Sequence, residues 1–346
     1  MPSQVTSHGM LRSAVTAAMI GGACLSLSSC KPQVEPVGRV SITHSAALFK
    51  NPVDVAFSGH NAWIANADSN TIDELSSASG VLVRQIRASS DRFHTPSAIV
   101  ANDRYVWVKN LNSVTQLSAS NGSLVRVITS SVPSFFLSGT LAVCGSGLWY
   151  ANSNYLMKYS AGTGQLEARI NLGPRGESHP IWLAVASDAH MWIGGLTSNV
   201  LVQLNCSSGV VTRTVTLPLK HANAGMVALG GELWVSSFST VVEMSQLSGQ
   251  IERIISAKSY HLSGGRIAAS GRSIWVLSRV ANMATEIDGP TGSLDRIFRL
   301  GYATFTPIDI QANRGTVWML CGQGNAVAIV NGNSGRLVHY LGSKSL

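Results

Sequence analysis

The 346-residue chain is predicted to be all-β, a seven-bladed β-propeller with four-stranded antiparallel blades. Three observations carry this expectation. Trp63, Trp107, Trp149, Trp192, Trp234, Trp275 and Trp318 recur at intervals of 44, 42, 43, 42, 41 and 43 residues. Each is followed, 15 or 17 residues on, by a glycine: Gly80, Gly122, Gly164, Gly209, Gly249, Gly292 and Gly335. Ten residues before those glycines stand Asn70, Asn112, Asn154, Asn199, Ser239, Asn282 and Asn325. A period near 40 residues with strand patterning inside it marks the blades of a propeller.

The first repeat sets the strands at Val53 to Phe57, Ala62 to Ala65, Thr71 to Leu75 and Val81 to Ile86. In the last repeat they are Ile308 to Ala312, Val317 to Leu320, Ala326 to Val330 and Leu337 to Leu341. Val, Ile, Leu and Ala alternate there with Ser, Thr and Arg, as a half-buried antiparallel strand requires. Asparagine bonds its own backbone and tolerates left-handed conformations, which suits the turn between second and third strands. The glycines fall in the turn before the fourth strand, where a positive φ is expected. One tryptophan per blade on the second strand reads as packing between neighbouring blades. The blades lie near 52–88, 96–129, 138–171, 180–216, 223–256, 264–299 and 307–341. Ahead of them, residues 30–51 form a tether, within which Gly38 to Thr43 is expected to pair beside the carboxy-terminal strand and close the ring.

The first 29 residues read as a targeting segment: Arg12, then an apolar, small-residue run from Ala14 to Leu27. The tetrapeptide Leu27-Ser28-Ser29-Cys30 resembles the bacterial lipoprotein signal, which implies cleavage and lipidation at Cys30. A plain secretory signal with an incidental Cys30 is the alternative, and both place the propeller outside the cytoplasm. Cys144, Cys206 and Cys321 share no metal-ligand spacing and are expected as buried single thiols. Cys144 and Cys206 are in adjacent blades, but one precedes a second strand and the other follows a third, which argues against their pairing.

The formal charge is +8, and Arg84, Arg126, Arg169, Arg213, Arg253, Arg296 and Arg336 supply much of it. Six of these recur on or beside the outermost strand, where a charge blunts an exposed sheet edge. Basic residues spread round a rim, without interleaved aromatics, do not make a nucleic-acid surface.

The register W-[IV]-[AS]-N, an Asn-Thr-Ile or Asn-Ala-Val turn, then [ST]-G and a V-x-R strand, resembles the YVTN-type propeller repeats of bacterial surface and secreted proteins, over about residues 52 to 341. That resemblance implies a propeller and leaves its activity open. The streptogramin-lyase-like branch is similar in having seven blades and a second-strand tryptophan, and in that branch a Pro-His pair precedes the inner strands that carry catalytic histidines. Here Val53, Ser97, Ile181 and Ile308 follow the matching prolines, so that chemistry is not implied.

Two sets of residues are candidate sites. His94, His179 and His221 each lie 13 residues before their tryptophan and His261 lies 14 before, so the four should share one rim. Neutral imidazoles there could bind a small ligand, an anionic group or a metal; packed loop residues are the competing explanation. Nine residues before each tryptophan stand Asp54, Ala98, Thr140, Leu183, Gly225, Arg266 and Asp309. Blades six, seven and one thereby bring Arg266, Asp309 and Asp54 together. Paired carboxylates can do acid–base work when their pKa values are pushed apart, and an ion-pair cluster lining a wet channel is the competing explanation. The chain is therefore expected to be a membrane-anchored binding or interaction module of the bacterial envelope, monomeric, without metal or cofactor, meeting an envelope protein, a glycan or a small ligand. A lyase or hydrolase working at the channel mouth and a purely structural envelope scaffold are the alternatives.

Overall fold

The computed structural model describes residues 42–43, 48–87, 93–129, 139–152, 155–171, 181–185, 189–195, 199–219, 223–256, 262, 265–300 and 306–342; for 42–43, 181–185 and 223 it describes only the backbone. They form a seven-bladed β-propeller of four-stranded antiparallel blades, with no helix among them. Blade one comprises Pro52–Ser58, Asn61–Asn66, Thr71–Ser76 and Leu82–Arg87, in that order from the axis outward. Blade seven comprises Asp309–Asn313, Thr316–Cys321, Ala326–Asn331 and Leu337–Gly342. The first strand of every blade touches the first strands of both neighbours, including blade seven against blade one, so the ring is closed. Ile42–Thr43 adds a fifth strand to blade seven, running parallel to Tyr340–Leu341. No described helix is long and apolar enough to cross a membrane.

The core lies between the blades. All seven repeat tryptophans are buried to within 1% of full enclosure, one at each seam. Trp63 packs on Ile99, Val106 and Val108 of blade two, and Trp318 packs on Val55, Ile64 and Leu75 of blade one. A Trp buries 150–250 Å² of mostly apolar surface, so one per seam is a large share of what holds sheet to sheet.

The turns follow the repeat. All seven glycines have positive φ, from 65° at Gly335 to 75° at Gly249. Asn70, Asn282 and Asn325 are left-handed at φ 51°, 49° and 49°, whereas Asn112 is not. Two of them also staple the next blade: Asn70 Oδ1 accepts from Thr95 N at 2.7 Å, and Asn325 Oδ1 accepts from Asn51 N at 2.7 Å. The second of these crosses the seam where the two ends of the chain meet.

The recurring arginines do something other than blunt an edge. On the third strand, Glu74, Gln116, Gln203, Glu243 and Glu286 stand directly opposite Arg84, Arg126, Arg213, Arg253 and Arg296 of the fourth. The buried carboxylates of Glu243 and Glu286 hold Arg253 and Arg296 at 3.1 and 2.7 Å. The guanidinium then reaches over the glycine turn of the following blade and donates to its carbonyls. Arg126 bonds Gly162 O at 2.5 Å, and Arg213 bonds Leu247 O at 2.7 Å and Ser248 O. Arg253 bonds Gly289 O and Pro290 O, both at 3.1 Å, and Arg296 bonds Ser334 O and, at 3.4 Å, Asn333 O. A Cβ on Gly292 or Gly335 would run into the Arg253 or Arg296 side chain, so these turns need glycine for room as well as for φ. Arg169 departs from the pattern and lies over the Tyr155 ring, 3.9 Å from its centroid.

The cysteine expectation is corrected. Cys144 and Cys206 form a disulfide with Cα atoms 5.8 Å apart, and Cys321 alone is a buried free thiol among the described residues. Cys144 ends the first strand of blade three and Cys206 follows the third strand of blade four. In an antiparallel blade the first and third strands end on the same face, so adjacent blades bring the two sulfurs together.

Candidate functional site

The position nine residues before each tryptophan lies at the inner strands. Asp54 pairs with Ala65 and Asp309 with Leu320, and Leu277 N donates to Arg266 O at 2.9 Å. Paired residues share a sheet face, and Ala65, Leu320 and Leu277 pack towards blades two, one and seven. Arg266 is therefore turned to blade seven, Asp309 to blade one and Asp54 to blade two. Arg266 Nε lies 3.6 Å from Asp309 Oδ1. Asp54 keeps partial exposure, while its Oδ1 accepts from Val55 N and its Oδ2 from Ile99 N of blade two, each at 2.9 Å. The result is a relay through four consecutive blades, from the Arg266 guanidinium through Asp309 and Asp54 to a main-chain amide of blade two.

Asp309 is the constrained member of the three. It is fully buried, and neither of its oxygens receives a well-formed hydrogen bond; the Ile310 amide and the Arg266 guanidinium are looser electrostatic neighbours. Burial raises both carboxyls above the usual range, and Arg266 opposes this in each. The Asp54 charge raises Asp309 further, and the closeness of the two carboxyls lowers Asp54. Two backbone amides steady the Asp54 anion, while Asp309 has only the looser Ile310 amide, so Asp309 is the more strongly raised of the two. The two carboxyls titrate as a unit.

Of the histidine rim, only His94 lies within the described residues; His179, His221 and His261 lie outside them, as does Cys30. His94 is exposed on the loop between blades one and two, its N–H donating to Asn110 Oδ1 at 3.3 Å. Among the described residues no group of three or more His, Cys, Asp or Glu side chains could hold a metal ion.

Two buried polar residues escaped the repeat-based reading. Asp73, fully buried on the third strand of blade one, accepts from Asn66 Nδ2 and Gln85 Nε2, each at 2.8 Å, and burial pushes its carboxyl up to about 6. Lys109, 3% exposed in blade two, is pushed down to about 8 by burial. Their signal was departure from the repeat: Lys109 stands where other blades have Ala65, Ala151, Gly194, Ser236, Leu277 and Leu320, and Asp73 where others have Thr or an apolar residue.

No family model matches the chain, and no curated protein matches its sequence. Solved structures do resemble it. A streptogramin B lyase superposes with a TM-score of 0.67 at 17% identity, over 80% of this chain and 92% of that one. Selenomethionine-substituted virginiamycin B lyase from Staphylococcus aureus gives 0.67 at 15% identity, over 79% and 92%. A catalytically inactive histidine-to-alanine variant of virginiamycin B lyase from the same organism, with quinupristin, gives 0.68 at 14%, over 80% and 94%. At these identities the likeness is one of fold.

Proposed function

We propose that this chain is an exported, lipid-tethered binding module whose ligand enters at the face framed by the inter-blade loops and engages Arg266 and Asp54, with the buried Asp309 between them. The observation that carries the reading is the state of Asp309. A buried carboxyl without a well-formed hydrogen bond is costly, by roughly 1–3 kcal/mol for an unsatisfied buried group, and the tryptophan-packed ring does not need it there. Two carboxyls and a guanidinium side by side suit a small polar ligand that both donates and accepts hydrogen bonds. The Cys144–Cys206 disulfide favours an oxidising compartment, in keeping with export, and Cys30 is the residue for the tether. Although lyases share the fold, Val53, Ser97, Ile181 and Ile308 stand after the prolines of the inner strands, which speaks against that activity.

The test is a thermal-shift screen of the purified propeller against small polar compounds, repeated with Asp309→Asn and Asp54→Asn. A stabilising compound whose effect both variants abolish supports the reading; compounds that stabilise wild type and variants equally defeat it. One observation favours a second reading, hydrolysis at the same place: burial raises the two adjacent carboxyls, Asp309 the more strongly, which is the unequal pairing an acid and a base require. In that case turnover follows a bell-shaped pH profile that Asp309→Asn removes.

A further inference from the structure

Blade six departs from the repeat on the face opposite the inter-blade loops. Three residues before the tryptophans stand His60, Arg104, Ser146, Ala189, Gly231 and Gly315 in the other blades, and Arg272 in blade six. At the end of the third strand the others have Ser76, Ser118, Ser160, Asn205, Ser245 and Asn331, and blade six has Asp288. Serine or asparagine caps the same turn adequately: Ser160 Oγ accepts from Thr163 N at 3.2 Å, and Asn331 Oδ1 from Ser334 N at 2.8 Å. The turn therefore does not explain the Arg–Asp pair.

Between this turn and that of blade seven is an open-sided cavity of about 510 Å³. Arg272, Asp288, Thr291, Ser293, Asp295 and Asn333 line it, and no apolar side chain does. Its groups are held in place before any ligand arrives. Arg272 Nε bonds Asp288 Oδ1 at 2.6 Å, Asp288 Oδ2 accepts from Thr291 Oγ1 at 2.6 Å, and Thr291 Oγ1 lies 2.7 Å from Ser293 Oγ. At the back, the buried Glu286 is tied to Arg296, whose guanidinium is itself fastened over the turn bearing Asn333. Arg272 keeps Nη donors facing outward on a side chain 69% exposed. Asp295 is 47% exposed, with only a 3.7 Å contact to Arg296 Nη2.

From this we infer that the blade-six cavity is a sugar-binding site. Planar bidentate groups match pairs of adjacent hydroxyls, and the cavity sets the Arg272 guanidinium, the exposed Asp295 carboxylate and the Asn333 amide around a space suited to one or two pyranose rings. The other ligand classes fit less well. With Glu286 paired to Arg296 and Asp288 to Arg272, the exposed Asp295 carboxylate leaves the lining acidic, which disfavours phosphate or sulfate. Asp288 is held ionised, at about 2, by Arg272, so the acidic balance persists at any pH of physiological interest. A hydrophobic ligand would find no apolar wall.

The experiment is saturation-transfer NMR on the purified propeller with four probes: glucose, galactose, N-acetylglucosamine and glucosamine. At least one is expected to bind saturably, and Arg272→Gln and Asn333→Ala should each weaken it about tenfold, the equivalent of one good hydrogen bond. Circular-dichroism melting curves matching wild type establish that both variants fold. No saturable signal from any probe, or binding that either variant leaves unchanged, overturns the proposal. Asp309→Asn separates this site from the channel: if that variant alone abolishes sugar binding, the sugar sits in the channel and the cavity proposal fails.

Discussion

Replacing Asp73 by asparagine should make the protein more stable at neutral pH and less dependent on pH. Asp73 lies on the face of blade one that packs against blade seven, with Ile64 and Leu75 beside it, and its carboxyl is raised to about 6 from an ordinary 3.8, mainly by burial. The unfolded chain therefore releases this proton at a lower pH than the folded chain does. Between pH 4 and 6 stability falls as pH rises, and above pH 7 the full difference, about two pKa units or ~3 kcal/mol, weighs against the folded state. Asparagine removes that cost. It gives back ~1 kcal/mol, because only its carbonyl can accept where two amides now donate, and Gln85, being half-buried, must turn over. The net expectation is ~2 kcal/mol of stabilisation at pH 7.5, roughly 4 °C in melting temperature for a chain of this size, shrinking to about nothing near pH 4.5. Paired thermal melts of wild type and Asp73→Asn from pH 4 to 8 measure the difference and cancel the titration of every other carboxyl. A variant less stable than wild type at pH 7.5, with a difference flat across pH, would refute the reasoning: the carboxylate would then be needed as an anion, with Arg87 as its partner.

Three further outcomes are expected. Arg253→Ala should cost ~2 kcal/mol, since it strands the buried Glu243 and frees two carbonyls of blade six, whereas Glu243→Gln should cost under ~1 kcal/mol because Gln116 and Gln203 stand at the same position, and Arg126 and Arg213 reach the next blade without a carboxylate; urea melts that rank the two the other way would disprove the clasp. Reducing the Cys144–Cys206 disulfide, or Cys206→Ser, should remove up to about 4 kcal/mol by the chain-entropy relation for a 62-residue loop, read as a drop in the urea midpoint with dithiothreitol that the Cys206→Ser protein does not show. Cys30→Ala should release the protein from membranes, and metabolic labelling that finds no lipid on the wild type rules out the tether.

Much of the fold was legible because a repeated requirement leaves a repeated residue. Trp63 and its six counterparts fill the same gap seven times, and Gly292 and its counterparts meet the same backbone angle seven times. Five of the arginines repeat in one register, yet their reason was hidden: Arg253 binds main-chain carbonyls at Gly289 and Pro290, and a carbonyl leaves no trace in a sequence. The disulfide was missed because position along a strand was weighed without strand direction. Counting from the tryptophans placed Arg266, Asp309 and Asp54 in adjacent blades, but Asp54 spanning to Ile99 N and the bare state of Asp309 depend on how closely the sheets pack, which spacing cannot express. Blade six was legible only by contrast, through the pairing of Arg272 with Asp288, since blade two has Arg104 at the first position but Ser118 at the second.

The arginine clasp has a direction. The guanidiniums of blades two, four, five and six reach to the next blade in chain order, Lys158 Nζ does so from blade three to Ser207 O, and at the junction of the last blade with the first the series stops: Ile329 and Leu341 stand against Gly80 where a cation would be expected. The unit that could be copied or moved intact between genes is thus not a blade but the stretch from the third strand of one blade to the glycine turn of the next, carrying a hook and its eye together. A protein grown by duplicating that unit acquires a polarity, and its two ends, lacking a hook for each other, must be joined by different means. Here those means are an apolar contact at Gly80, an asparagine staple from Asn325 to Asn51 and a borrowed strand at Ile42–Thr43. Artificial rings of six or eight such units should therefore stand or fall on whether that one dissimilar joint is retained, however faithfully the other joints are reproduced.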